Sequence, residues 1–160
     1  MAEERLNLRQ AAVAKLQARG IDCEDIAALV YDLQNKYFPH LTLADCTVAV
    51  EAVLNKQDVQ FAILTGLFLD ECCEQGLMPE GLQEAVKNDE GLFGIDEALA
   101  MSIANIYGTI GVTNFGYLDK QKPGIIGRLD GHPTHVHTFS DDLIGAVAAA
   151  AAARIAHNSK

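Results

Sequence analysis

Small apolar residues dominate the segment 141–157, and this segment constrains the fold more than any other part of the chain. Ser140 precedes the segment and is suited to cap the start of a helix there. Asp141 and Asp142 open this predicted helix, which carries no further charge before Arg154. Small residues recur at four-residue spacing and predict a stripe along which other helices can approach closely: Gly145, Ala149 and Ala153.

Helical periodicity also dominates the rest of the sequence, and no convincing strand pattern is present. In the second predicted helix, apolar residues recur every three or four positions, at Ile26, Leu29, Val30 and Leu33. Helices are predicted over residues 6–19, 23–36, 43–55, 58–75, 79–87, 95–107 and 141–157. The stretch 108–137 is rich in Gly and is predicted to be mostly irregular, with one turn of helix near Tyr117.

These patterns predict an all-α fold in which about six or seven helices form a single domain over residues 1–160. A chain of 160 residues is long enough for one core and too short for two ordinary domains. We expect one apolar helix to be surrounded by the others. The helix over 95–107 is poor enough in polar residues to take that central place.

The overall charge limits the partners of the protein. The chain has a formal net charge of −10 at pH 7 and contains no cluster of Lys or Arg, which excludes nucleic acid. No run of about 18 uncharged apolar residues exists, so no transmembrane segment is expected. The N-terminus begins with acids and lacks the apolar core of a signal peptide. We therefore expect a cytoplasmic protein, either free or peripheral to the membrane.

The cysteines and histidines are possible ligands for a transition metal. The four cysteines lack C-x-x-C spacing and include the vicinal pair Cys72-Cys73, so we expect reduced thiols within a helical core. Three of the five histidines, His132, His135 and His137, lie within six residues. They could hold zinc or form a polar loop, and the polar loop is the preferred interpretation.

Carboxylates interrupt the apolar second half of the chain, at Asp96, Glu97, Asp119, Asp130, Asp141 and Asp142. Burying a charged group is costly unless the group is paired or binds a cation, so acids within core-like sequence favour a site for a hard metal ion. Oxygen ligands select Mg²⁺ or Mn²⁺ over Zn²⁺. A simpler alternative is that the acids at helix starts complement the helix dipole and that Asp119 and Lys122 form a surface turn.

The order and spacing of these acids resemble a known family. Asp119-Lys120-Gln121-Lys122-Pro123, then Asp130, then Asp141-Asp142 is similar to the pattern of the phosphatidylglycerophosphatase A superfamily, and Asp96-Glu97 matches its upstream Asp-Glu pair. The whole chain looks most like a soluble branch from gram-positive bacteria that includes low-temperature-requirement C protein. Members that act on lipid carry a Gly-Thr-rich motif near the N-terminus, which has no counterpart here. The Ala-Gly pair of the pattern is inverted as Gly145-Ala146.

The resemblance implies a Mg²⁺-dependent phosphomonoesterase that acts on phosphatidylglycerophosphate or a related monoester, either a phospholipid headgroup or a phosphorylated small molecule. Metal ligands or the general base would come from Asp96, Glu97, Asp141 and Asp142, with support from Asp119 and Asp130. Lys122 precedes Pro123, which biases its backbone toward an extended conformation and projects its ammonium outward as a phosphate contact.

Self-association is also expected. The resemblance implies a homodimer or homotetramer, and the small-residue stripe of the last helix exposes more backbone than one intramolecular partner can cover. The alternative function is a non-catalytic, oligomeric helical module, regulatory or for cold adaptation, that retains an acidic cation site.

Overall fold

The computed structural model describes residues 7–158 and contains helices only over that range, so the all-α, single-domain prediction is confirmed. The helices are α1 (Leu8–Ala18), α2 (Cys23–Gln34), α3 (Leu43–Leu54), α4 (Gln57–Glu74), α5 (Leu82–Lys87), α6 (Ile95–Ala104), α7 (Gly108–Gln121), α8 (Gly124–Leu129) and α9 (Thr138–Asn158), with a 3₁₀ turn at Asn105–Tyr107 before α7. The predicted helix start at Leu6 lies outside the described residues.

The helix α9 forms the centre of the domain. Every residue from Thr138 to Ala153 is buried, and α9 contacts α2, α3, α4, α6, α7 and α8. A central apolar helix was expected, but its assignment to residues 95–107 is wrong, because α6 leaves Ile95 about half exposed. The small apolar residues of α9 lie on all of its faces, so each face can pack against a neighbouring helix.

The small-residue stripe of α9 packs inside the monomer. Ala149 and Ala153 are completely buried, and a Cβ atom on Gly145 would lie in ordinary contact with Ile126 and Phe115. On the neighbouring helix α4, a Cβ atom on Gly66 would overlap the side chain of Leu143 in α9. The expectation that this stripe stays uncovered is therefore wrong. Oligomerisation remains a prediction that rests on the family resemblance.

The segment predicted to be irregular, 108–137, contains two helices, and α7 alone has 14 residues. Gly111 allows α7 to lie close to the end of α6, because a Cβ atom on this residue would clash with the carbonyl oxygen of Ala104. Phe115 and Leu118 are buried on α7, which packs extensively against α9. Tertiary packing outweighs the low helix propensity of glycine here. Residues 130–137, after α8, form the loop that the sequence predicted.

Thr42 and Asp45 form a capping box at the start of α3, since each side chain accepts the backbone N–H of the other residue. The four cysteines are free thiols, and Cys46 and Cys73 are buried. Within residues 7–158, none of the helices has the length and apolar character needed to cross a membrane.

Candidate metal centre

The predicted acids converge at one end of α9. Asp96 and Glu97 lie in the first turn of α6, and Asp141 and Asp142 lie near the start of α9. Asp119 and Lys122 lie at the end of α7, and Asp130 directly follows α8. Residues from four separate helices are thus brought together, as the sequence pattern requires if they form one site.

Asp96, Glu97 and Asp142 form the first acidic group. Each supplies one carboxylate oxygen, and these oxygens all lie within 4.8 Å of one another. Asp96 and Asp142 are only 3% and 5% exposed. Two oxygens of the group, Asp96 Oδ1 and Glu97 Oε2, are buried and receive no hydrogen bond from a donor outside the acidic residues. Buried acceptors of this kind are costly unless a cation or a donor satisfies them, so the group fits a hard metal ion.

Asp89, Asp130 and Asp141 form a second acidic group beside the first, again with ligand oxygens within 4.8 Å. Asp141 is buried, whereas Asp89 and Asp130 are exposed. Sequence analysis did not single out Asp89, which lies in the segment between α5 and α6. It has a left-handed backbone with φ 49°. No sequence signal identifies it, because its proximity to the site comes from the path of the chain between α5 and α6.

Lys122 places a positively charged side chain among the carboxylates of the centre. Its Nζ lies 3.5 Å from Asp119 Oδ1 and 3.5 Å from Asp141 Oδ2. The prediction of an extended backbone before Pro123 is wrong, since Lys122 ends α7 in a left-handed conformation with φ 47° and ψ 52°. This conformation turns the chain into α8, and the ammonium lies between two carboxylates of the site. The contacts with Asp119 and Asp141 raise the pKa of Lys122, although burial opposes the shift.

Close packing of the carboxyl groups changes their acidity. A hydrogen bond with the carboxyl of Asp96, followed by burial, raises the pKa of Glu97 to about 7. Burial raises the pKa of Asp141 to about 8. Burial, followed by the charge of Asp141, holds the pKa of Asp142 far above its ordinary value. Without a cation, the carboxyl groups of the centre therefore retain protons near neutral pH, because ionised carboxylates would repel one another. A divalent ion would neutralise this repulsion and allow the protons to leave.

Asp70 fixes the start of α9 and was also missed by sequence analysis. This fully buried residue of α4 accepts the backbone N–H groups of Phe139 at 3.0 Å and Ser140 at 2.8 Å, and also the Ser140 hydroxyl. The prediction that Ser140 caps the helix is wrong, because α9 begins at Thr138 and Asp70 accepts from its first turn. Burial raises the pKa of Asp70 to about 6, although these hydrogen bonds oppose the shift.

The three clustered histidines form a compact loop. Their ring centroids are 5.0, 5.7 and 6.0 Å apart. Within residues 7–158, however, no set of ligand atoms within 4.8 Å includes a histidine. His132 Nδ1 accepts the backbone N–H groups of Thr134 and His135, and His137 Nδ1 lies 3.3 Å from Arg19. The arrangement favours the polar-loop interpretation over the zinc site.

The family model described as Phosphatidylglycerophosphatase A matches residues 13–157. The chain belongs to this family. The matched range includes both acidic groups and Lys122, so the resemblance inferred from the sequence pattern is confirmed at the level of the family.

Relatives of the phosphatidylglycerophosphatase A family share both sequence and structure with the chain. YpjQ of Bacillus subtilis is 57% identical over 142 residues, which cover 89% of this chain and 80% of YpjQ. YutG of the same organism is 52% identical, with coverage of 93% and 90%. Both are described as uncharacterised. The crystal structure of low temperature requirement C protein from Listeria monocytogenes superposes with a TM-score of 0.93 at 51% identity, covering 96% of this chain and 98% of that one.

Proposed function

We propose that the protein is a Mg²⁺-dependent phosphomonoesterase whose active site is the acidic centre at the start of α9. The main support is the pair of buried oxygens, Asp96 Oδ1 and Glu97 Oε2, which receive no hydrogen bond from outside the acidic residues and lie beside the carboxylate of Asp142. Buried carboxyls packed this closely must either share protons or bind a cation, and a divalent ion satisfies all of their oxygens at once. Membership of the phosphatidylglycerophosphatase A family supports phosphate-ester chemistry at this position.

The oxygen-only donor set fits Mg²⁺ or Mn²⁺. Asp96, Glu97 and Asp142 would hold the ion, and Asp141 in the second acidic group is placed to support it or a further ion. When bound, a divalent cation supplies charge neutralisation at the phosphoryl oxygens and increases the acidity of nearby water. A helix-dipole role alone does not account for Asp119 and Asp130, which come from the end of α7 and the residue after α8.

The other residues of the centre have distinct roles in hydrolysis. Lys122 can exchange its contact with Asp119 for the phosphate and stabilise charge that develops on the equatorial oxygens. The exposed Asp130 can take a proton from the attacking water. The water oxygen forms a new bond to phosphorus while the bond between phosphorus and the ester oxygen breaks. The ester oxygen takes a proton from solvent and leaves as the alcohol, and Asp130 releases the proton it took from the water to solvent.

The test is hydrolysis of a panel of phosphate monoesters, lipid and soluble, by wild-type protein and Asp142→Asn. We expect activity that requires added Mg²⁺ or Mn²⁺ and falls by at least about 100-fold in the variant. Asp32→Asn, at an exposed position on α2, is the matched control and should retain full activity. If no ester is hydrolysed at any metal concentration although the protein binds Mg²⁺, the alternative of a non-catalytic cation-binding module is correct.

A further inference from the structure

The helices α4 and α6 lie side by side at the surface of the domain. A Cβ atom on Gly66 of α4 would lie 3.2 Å from the Leu99 side chain of α6. Near the other end of the pair, Lys56 Nζ lies 5.6 Å from the ring centroid of Tyr107, in the 3₁₀ turn that follows α6. The start of α4 is therefore close to the end of α6, and the two helices run in opposite directions.

The outer face of these two helices is uncharged. Between residues 59 and 73 of α4, and along the whole of α6, the exposed residues are Phe61, Thr65, Phe68, Ile95, Ala98 and Ser102. Charged residues make up 21% of the chain and are normally found at the surface, so a face of this size without one is unusual for a surface that stays in water.

Two phenylalanines project from the outer face. Phe61 is 52% exposed and Phe68 is 61% exposed. They are two helical turns apart on the same side of α4, and Thr65 lies midway between them. The cores of protein interfaces are enriched in aromatic residues and depleted in charged residues. The composition of the outer face is therefore typical of a contact between proteins.

Charge distinguishes a second copy of the chain from a membrane as the occupant of this face. The chain has a net charge of −10, and Asp58 and Glu71 of α4 flank the face. Anionic membranes attract basic segments and would repel this surface. Two copies of the chain also repel each other in general, because like charges across a contact are costly. A face without exposed charge avoids that cost.

The outer face is large enough for a specific contact. The helices α4 and α6 have 18 and 10 residues. At about 1.5 Å per residue and about 10 Å per helix, the face measures roughly 400 Å² in projection, and its accessible area is larger because side chains stand out of it. Two copies in contact therefore bury about 1,000 Å² or more, which is the area that a specific interface needs.

We propose that the outer face of α4 and α6 is the contact between two copies of the chain, related by a two-fold axis. In such a contact the same surface meets itself, so α4 crosses α4 of the other copy near Thr65. Phe61 then packs beside Phe68 of the other copy. This surface takes the place of the small-residue stripe of α9 in self-association, and the contact does not depend on the proposed phosphatase activity.

Light scattering of wild-type protein and Phe68→Glu tests the contact. Wild type at micromolar concentration should have the mass of a dimer or of a larger assembly built from dimers. Phe68→Glu should have at most half that mass, because a charge at the centre of an interface should raise Kd by at least about 30-fold. A monomeric wild type, or an oligomer whose mass Phe68→Glu leaves unchanged, would overturn the contact.

The matched control is Tyr37→Glu. Tyr37 is an aromatic residue after α2 that is 65% exposed and lies outside the outer face. This variant introduces the same charge at a similar exposure and should keep the mass of wild type. Equal dissociation in Tyr37→Glu and Phe68→Glu would show that added negative charge alone separates the copies, which contradicts a contact at this face.

Salt provides a second measurement. Because two chains of net charge −10 repel each other, added NaCl should screen the repulsion and lower the Kd of the dimer several-fold. Sedimentation equilibrium at low and high NaCl measures this change. A Kd that rises with salt would show that ion pairs hold the copies together, and the uncharged face would then not be the contact.

Cross-linking locates the two-fold axis without a charge in the interface. In a Cys72→Ser background, Thr65→Cys should form a disulfide with its own copy under mild oxidation, because crossing helices bring their facing residues within the Cα–Cα distance of a disulfide, about 4.4–6.8 Å. The control is Thr113→Cys, exposed on α7, in the same background. If Thr65→Cys gives no more cross-linked dimer than Thr113→Cys, the proposed contact is wrong.

Flotation with vesicles of phosphatidylglycerol and phosphatidylethanolamine tests the other occupant. The wild-type protein should stay in solution, because its net negative charge is repelled by the anionic lipid. If wild type is monomeric and floats with the vesicles, whereas Phe68→Glu does not, the outer face binds a membrane and the contact between copies is refuted.

Discussion

The carboxylate of Asp70 on α4 accepts the backbone N–H of Ser140 on α9 at 2.8 Å, and this bond lies one residue before the paired acids of the candidate metal centre. Asp70 also accepts the N–H of Phe139. The first N–H groups of a helix have no partner within the helix, so Asp70 completes the hydrogen bonding of α9 from a neighbouring helix. It thereby fixes the positions from which Asp141 and Asp142 project.

Replacing Asp70 with Asn should affect stability and metal binding together. The amide keeps one acceptor oxygen but places an NH₂ group against a backbone N–H, which should lower the free energy of unfolding by about 1–3 kcal/mol. Displacement of the first turn of α9 should also weaken Mg²⁺ binding. Urea denaturation measures the first effect and calorimetric titration with Mg²⁺ the second. Asp32→Asn is the control, and a variant with wild-type stability would show that these hydrogen bonds contribute nothing net.

Addition of Mg²⁺ should raise the melting temperature of the wild-type protein. Binding to the folded state at about 100 times Kd contributes roughly 2.7 kcal/mol, which corresponds to several degrees in a domain of this size. Without metal, Asp142→Asn should melt above wild type, because it removes one of the buried, mutually repelling carboxyls. The same variant should not respond to Mg²⁺. Differential scanning calorimetry with and without EDTA checks both expectations, and an unchanged response in Asp142→Asn would exclude this residue as a ligand.

The metal-free protein should lose stability as the pH rises from 6.5 to 8. In this interval Glu97, with a pKa of about 7, and Asp141, with a pKa of about 8, bind protons in the folded state, whereas unfolded carboxyls titrate near 4. The folded state binds more protons, so the free energy of unfolding falls as these protons are lost. Burial lowers the pKa of His137 to about 4, so this residue alone contributes the opposite slope below pH 6.5, and the raised pKa values of the buried carboxyls outweigh it there.

Melting temperatures in EDTA across this pH range provide the measurement. Saturating Mg²⁺ should abolish this fall, because the metal binds the deprotonated carboxylates and the folded state then holds no more protons than the unfolded state. A melting temperature that increases with pH in EDTA would show that the acids are already ionised without a cation.

Lys122→Ala should lower turnover much more than it lowers stability. Lys122 is partly exposed at the end of α7, and its expected role is to stabilise charge on the phosphate in the transition state. We expect kcat to fall by about 100-fold or more with a change of only a few degrees in melting temperature. Lys120→Ala, at an exposed position two residues before Lys122, is the control. Similar losses of kcat in both variants would indicate a general electrostatic effect.

Ala149→Leu should destabilise the monomer itself. Ala149 is completely buried in α9, so a larger side chain overpacks the core and costs about 1–3 kcal/mol. Light scattering of the folded variant should give the same mass as wild type, whatever that mass is. A change of mass without loss of stability would place Ala149 at a subunit interface after all.

Two of the errors in the fold have a common physical origin. Glycine lowers helix propensity, and this predicted an irregular segment at 108–137, but Gly111 is the residue that lets α7 approach the carbonyl of Ala104. Likewise, the alanines of α9 suggested an uncovered surface, whereas six neighbouring helices cover it. In both cases a small residue suggests an irregular segment or an exposed surface when it is considered alone, and it permits close helix packing when a neighbouring helix is present. The neighbouring helix cannot be identified from the sequence around that residue.

The acids of the site were predictable for a different reason. Asp96, Asp119, Asp130 and Asp142 follow a spaced pattern that can be recognised along the chain. Asp89 and Asp70 belong to no such pattern. Asp89 reaches the site through a left-handed turn, and Asp70 has its role only because α4 lies against the first turn of α9. Residues whose importance depends on the neighbouring helix cannot be identified from their own sequence surroundings.

The burial of α9 also determines which motions are open to the site. Opening of a region by local unfolding is cheap at frayed ends and in loops, and approaches the global unfolding free energy in the core. Because Asp141 and Asp142 belong to the most enclosed helix, their amides should exchange with deuterium only through global unfolding. Adjustment to a substrate must then come from the opposite side, where Asp89, Asp130 and the histidine loop are exposed. One half of the site is a rigid template, and the other half is left to adapt to what binds.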